Sequence, residues 1–174
     1  MAGEITLITG PIKSGKTIEL LRQLKVFEHR SKSCVIIKHV DDTNTHLESL
    51  KEGLDLTSEI VELSSLDELS EEDYRNIVCS TDAIFIDNGE AFSSLANFCD
   101  TMAYQHKQVF VTGLQCTSER EIPKMIAELF PLCENIITLK SICMHCSNKA
   151  SFFVIYKRGS FLKRTLCRNC YPRQ

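Results

Sequence analysis

No apolar run approaches the 18 residues that a membrane-spanning helix needs. The opening MAGEITLITG has no basic stretch ahead of its apolar residues, so a secretory signal is not expected. Internal repeats and low-complexity linkers are also missing, and 174 residues suit one domain with at most a small appendix. From residue 135 to the end there is no acid at all, against eight Lys and Arg. Residues 41–90 reverse the balance, with fifteen Asp and Glu against Lys51 and Arg75. Such asymmetry can mark a nucleic-acid-binding tail. A basic face that offsets its acidic neighbour is the favoured reading, and nucleic acid is not an expected partner.

Cysteine is plentiful instead. There are nine, an odd number, with four in two CxxC pairs and five scattered. That fits metal binding in a reducing, cytoplasmic compartment better than a disulfide framework.

Apolar β-branched stretches alternate with helical spacing along most of the chain. EITLIT (4–9), CVIIK (34–38), AIFI (83–86), VFVT (109–112) and NIITL (135–139) read as strands. Residues 14–30 place Ile18, Leu21, Leu24 and Phe27 at helical spacing, and helices are expected near 92–105 and 123–130. Residues 41–82 read as acidic and irregular, with one short helix near 70–79. The alternation implies an α/β fold, a parallel sheet covered on both faces. The chain changes character near Lys140, which predicts a nucleotide-binding domain over 1–140 and a small zinc ribbon over 141–174.

The strongest local signal is GPIKSGKT, residues 10–17, which matches the P-loop pattern between a strand and a helix. Gly10, Pro11, Ile12, Lys13, Ser14 and Gly15 are the expected phosphate cradle, through the loop's backbone N–H groups (Pro11 has none) and the helix N-terminus. Lys16 would reach the β and γ oxygens, and Thr17 would offer its hydroxyl to magnesium. Asp87 ends a strand at the sheet's ligand-binding edge and is the expected second magnesium ligand. The next residue is Asn88, whose amide cannot take a proton at neutral pH.

Cys143-x-x-Cys146 and Cys167-x-x-Cys170 form two knuckles about 20 residues apart, the spacing of a tetrahedral structural zinc site. His145 lies inside the first knuckle and is expected to point outward. The segment between the knuckles reads as a hairpin turning at Arg158, Gly159 and Ser160. Cys34, Cys79, Cys99, Cys116 and Cys133 read mostly as core residues.

In order, GPIKSGKTIELLRQL, CVIIK, DDT, FIDNGEAF, FVTGLQCTSER, ICMHC and CRNC resemble the type II thymidine kinases, the cellular and poxvirus-like enzymes. The resemblance covers nearly the whole chain. It implies a RecA-like core, usually a homotetramer, that moves the γ-phosphate of ATP to the 5′-hydroxyl of thymidine. It places Phe92 and Leu114 on the substrate side.

Several positions depart from the family. Asn88 stands where the family has the Glu that acts as general base. The family's following Gln and aromatic are Glu90 and Ala91 here. After Leu114 the family's Asp-Gly and aromatic give way to Gln115, Cys116, Thr117 and Ser118, and a later Phe is Pro123. Ile12-Lys13 replaces Met-Phe, Asn44 replaces Arg, the segment between the knuckles is short, and Tyr156 does not clearly match the family's lasso Tyr. A general base contributes about 10²- to 10⁴-fold, so its loss alone leaves a slow enzyme. Glu90 is a substitute only if the turn at Gly89 shifts, because on an extended backbone it lies about 6–7 Å beyond Asn88. Impaired or altered nucleoside use is therefore expected. The alternative is an inactive pseudokinase that binds nucleotide for regulation or partnering.

Overall fold

The computed structural model describes residues 2–42, 46–67, 69–158 and 160–172. Asn44 lies outside the described residues. A six-stranded, wholly parallel sheet carries β1 (Glu4–Gly10), β2 (Cys34–His39), β3 (Glu59–Leu63), β4 (Ala83–Ile86), β5 (Gln108–Leu114) and β6 (Asn135–Thr138). Their order is β3-β2-β4-β5-β1-β6. The four inner strands are near-continuous apolar runs because both faces of such a sheet are covered.

One face packs on α1 (Lys16–His29) and α2 (His46–Gly53): Leu20, Leu21, Leu24 and Leu47 meet Ile8, Ile36, Phe85 and Phe110. The rings of Phe85 and Phe110 stack at 4.8 Å, and Phe27 meets both edge-on. Each such pair adds about 0.5–1.5 kcal/mol beyond area burial. The other face packs on α4 (Leu95–Tyr104) and α5 (Lys124–Leu129), where Leu95, Phe98, Met102, Ile126 and Leu129 cover Leu7, Ile37, Ile86 and Val111. Ile18, expected in the helical stripe, is 56% exposed.

Residues 41–82 hold more order than their composition suggests. They contain α2, the edge strand β3, and α3 (Glu71–Tyr74) running into a π-turn at Arg75–Cys79. Within β3 only Leu63 is buried, and within α2 only Leu47. Elements that short, with one fully buried residue each, leave no readable period. Cys79, expected in the core, is exposed there, whereas Cys99 and Cys116 are buried.

Two helices begin later than their spacing implies. Gly15 takes a left-handed conformation (φ 86°), so α1 starts at Lys16. A 3₁₀ turn at Gly89–Ala91 and an extended Phe92 delay α4 to Leu95. After β6 come two antiparallel pairs, β7 (Ser141–Ile142) with β8 (Lys149–Ala150) and β9 (Phe152–Arg158) with β10 (Ser160–Leu166). The second pair is the expected hairpin, with Arg158 opposite Ser160.

Candidate active site and metal centre

The P-loop residues leave the carboxyl end of β1 as a tight turn. A Cβ on Gly10 would lie 2.6 Å from Ser14 Oγ and 2.7 Å from the Leu139 carbonyl, so only glycine fits. Lys13 is left-handed (φ 56°), and its carbonyl accepts a hydrogen bond from Ser141 at 3.1 Å. Pro11 is buried, Ile12 half-buried, and Ser14 Oγ is buried without a partner among the described residues. Lys16 Nζ donates to the carbonyls of Pro11 (3.0 Å) and Gly10 (3.4 Å), curling back over its own loop. Burial pushes the Lys16 ammonium pKa down, against the pull of the Glu90 and Asp87 carboxylates.

Asp87 closes β4 and is 4% exposed. Thr112 Oγ1 donates to its Oδ1 at 2.7 Å, and Thr17 Oγ1 lies 3.2 Å from both carboxylate oxygens. Burial raises the Asp87 carboxyl pKa, and the two hydroxyls oppose it. Thr17 and Asp87, predicted to share a cation, are therefore already in contact. Thr112 was not singled out from sequence; a hydroxyl at the carboxyl end of an otherwise apolar strand was the available signal.

Asn88 is left-handed (φ 52°, ψ 52°). Its amide N–H donates to Thr112 Oγ1 at 2.8 Å, and its Nδ2 donates to Asp42 at 2.6 Å. That conformation starts the 3₁₀ turn and carries Glu90 inward, so the extended backbone that would have held Glu90 out of reach does not occur. Glu90 Oε2 is buried with no hydrogen-bond partner among the described residues. Burial raises the Glu90 carboxyl pKa, opposed by its own amide, the Lys16 ammonium and the Leu114 amide. Glu90 also comes close to Gly113 on β5: a Cβ there would lie 3.5 Å from its Oε2.

The two positions assigned to the substrate side part company. Leu114 ends β5 half-buried beside the site. Phe92 is 1% exposed, packed in the core with the His39 ring 5.1 Å away. It supports the site from beneath, because the turn at Gly89–Ala91 directs its side chain into the sheet–helix interface.

The sulfurs of Cys143, Cys146, Cys167 and Cys170 all lie within 4.8 Å of one another, a set that can hold a metal ion. Desolvation disfavours the Cys143 thiolate, but the amides of Cys167, His145 and Cys146 outweigh it and bring its pKa down to about 6. A thiol so prepared is a ready metal ligand. His145 is exposed and stands outside the four, as expected.

Beside the knuckles, Tyr171 Oη donates to the Ser118 carbonyl at 2.7 Å. The Arg120 guanidinium lies 4.2 Å from the Tyr171 ring and 5.4 Å from Phe152, with Arg168 5.3 Å from Phe152 on that cluster. These contacts tie the loop after β5 to the second knuckle.

The thymidine kinase family model matches residues 3–171. The thymidine kinase of Myxoma virus (strain Lausanne) is 31% identical over 177 residues, covering 97% of this chain and 96% of the viral protein. That of Vaccinia virus (strain Western Reserve) is 31% identical over 183 residues, covering 97% of each. The Variola virus thymidine kinase (isolate Human/India/Ind3/1967) gives the same identity and coverage. A match spanning the phosphate loop, the β4 carboxylate and both knuckles shows that the chain belongs to the thymidine kinase family.

Proposed function

We propose that the chain transfers the γ-phosphate of ATP to the 5′-hydroxyl of thymidine or a related deoxynucleoside, with Glu90 as the general base. The observation that carries this reading is the Glu90 carboxyl: buried, raised in pKa, one oxygen unpartnered among the described residues, in the field of Lys16 and Asp87. The family's acid and amide have exchanged places around Gly89, with Asn88 at the acid's position and Glu90 at the amide's. A nucleotide binder without turnover is the reading that Asn88 alone invites; a buried carboxyl oxygen two residues on, unpartnered among the described residues, favours catalysis.

The residue roles follow from phosphoryl-transfer chemistry. Lys16 would exchange its two loop carbonyls for the β and γ oxygens. The backbone N–H groups of Gly10 and of Ile12 to Thr17 would hold the phosphates through the loop and the α1 N-terminus. Thr17 and Asp87 suit magnesium, which when bound neutralises charge between the β and γ phosphates. Glu90 would accept the 5′-hydroxyl proton as the new O–P bond forms and the bond to ADP breaks. Leu114 would border the nucleoside. The four thiolates suit a structural zinc ion, with residues 1–140 and 141–174 as the nucleotide and ribbon domains. The homotetramer and the cytoplasmic location implied by the family belong to the same proposal.

The test is Glu90→Gln beside Asn88→Ala. Glu90→Gln is expected to lower kcat by about 10²- to 10⁴-fold while ATP still stabilises the protein. Near-wild-type turnover in Glu90→Gln would remove the assignment.

A further inference from the structure

We infer that Ser141, which opens β7, is a positioning residue for the phosphate loop: its hydroxyl fixes the Lys13–Ser14 peptide so that the Ser14 N–H faces the phosphates. The inference rests on the ATP reading above and adds to it a residue outside the loop's own motif. Ser141 is 6% exposed. Its Oγ donates to the Lys13 carbonyl at 3.1 Å, across 128 residues of sequence. Among the described residues no backbone N–H reaches that carbonyl.

The peptide that Ser141 holds is one that needs holding. Lys13 has φ 56°, a left-handed conformation that a residue with a Cβ rarely adopts. Such a conformation persists where its surroundings over-determine it, most often where a ligand is held. A trans peptide is planar, with its C=O and the following N–H on opposite sides. Fixing the Lys13 carbonyl toward the ribbon therefore turns the Ser14 N–H away from the ribbon. Ser14 folds back over the start of the loop, its Oγ 2.6 Å from where a Gly10 Cβ would sit. A peptide free to flip would present a carbonyl oxygen to the phosphates in place of an N–H, and the oxygen repels an anion that the N–H attracts.

Ser141 can reach that carbonyl because its segment leaves the sheet beside the loop. β6 pairs with β1 up to Thr9, and beyond it the Leu139 N–H donates to the Thr9 carbonyl at 2.7 Å. The Leu139 carbonyl closes on Gly10, where a Cβ would meet it at 2.7 Å. Ser141 follows two residues later and is itself held from both knuckles. It pairs with Ala150 on β8, and the carbonyl of the next residue, Ile142, accepts Thr165 Oγ1 at 2.7 Å. Thr165 is 1% exposed, and its carbonyl takes the Met144 N–H at 2.9 Å. These bonds join the strands that lead into Cys143 and Cys167, so the hydroxyl sits on a braced support.

The experiment compares Ser141→Thr, which keeps the hydroxyl, with Ser141→Val, which has the same shape without it, and with Ser141→Ala. Each is read by zinc content, by thermal stabilisation with magnesium and ATP, and by separate KM values for ATP and thymidine. Ser141→Ala and Ser141→Val are expected to weaken ATP binding and raise its KM by about three- to tenfold, the loss of one hydrogen bond, with zinc content and KM for thymidine unchanged. Ser141→Thr is expected to stay close to the wild type. Thr and Val fill the same space, so their difference reads the hydroxyl even if Ser141→Ala folds poorly. Equal ATP affinity in Ser141→Thr and Ser141→Val overturns the inference and leaves the proposed function standing. So does a KM for thymidine that rises as much as that for ATP, the mark of a general loosening. A wild type that ATP does not stabilise overturns both.

Discussion

Asn88 Nδ2 donates to Asp42 Oδ2 at 2.6 Å. The residue where the family carries its base is here a clamp on the β2–α2 connection. A carboxylate at position 88 would face the Asp42 carboxylate at that distance, and one of the two would have to stay protonated.

Restoring the family residue is therefore expected to fail on its own. Asn88→Glu should not raise turnover and should lower stability, whereas Asn88→Glu combined with Asp42→Asn should recover part of both. A double-mutant cycle on kcat and urea midpoint checks this; additive effects would mean that the two side chains do not interact.

The raised Glu90 and Asp87 carboxyls make the ligand-free protein sensitive to pH in a defined direction. Both groups hold their protons more tightly folded than unfolded. Their stabilising contribution is full below the ordinary carboxylate range and is lost as pH rises through the raised folded values. Denaturant midpoints measured across that window should fall with pH in the wild type and fall less in Glu90→Gln. In turnover, the acid limb of kcat/KM should titrate above the ordinary glutamate value and disappear in the same variant.

Lys38 is 5% exposed, with Glu48 at 2.7 Å and Glu62 at 3.7 Å. The Glu48 hydrogen bond raises the Lys38 pKa, and Lys38 in turn lowers that of Glu48. Lys38→Met keeps the stem and removes the charge. It is expected to cost about 1–2 kcal/mol, moderated by the partly exposed partners. An unchanged urea midpoint would show that solvent already screens the triad.

Cys167→Ser leaves three thiolates for a tetrahedral ion. Zinc content by atomic spectroscopy should drop from about one per chain toward zero, with a lower Tm that added zinc does not restore. Full zinc content in that variant would mean that the ion is held elsewhere.

Much of this site is written in local spacing. The phosphate loop, the carboxylate that ends β4 and the two knuckles each depend on a few consecutive residues, so their geometry follows from their order. Glu90 does not: it turns inward only because Asn88 adopts a left-handed backbone. Phe92 shows the converse: the family resemblance implies a substrate contact, and the same turn sends it into the core. α2 and β3 escaped notice because each hides a single leucine.

Tyr171 follows the last metal-site cysteine, and its ring lies beneath Arg120 while its hydroxyl grips Ser118. The ribbon is thus more than a brace at one end of the molecule. A change in how the four cysteines are held would therefore reach Ser118 and Arg120, on the loop after β5, through Tyr171.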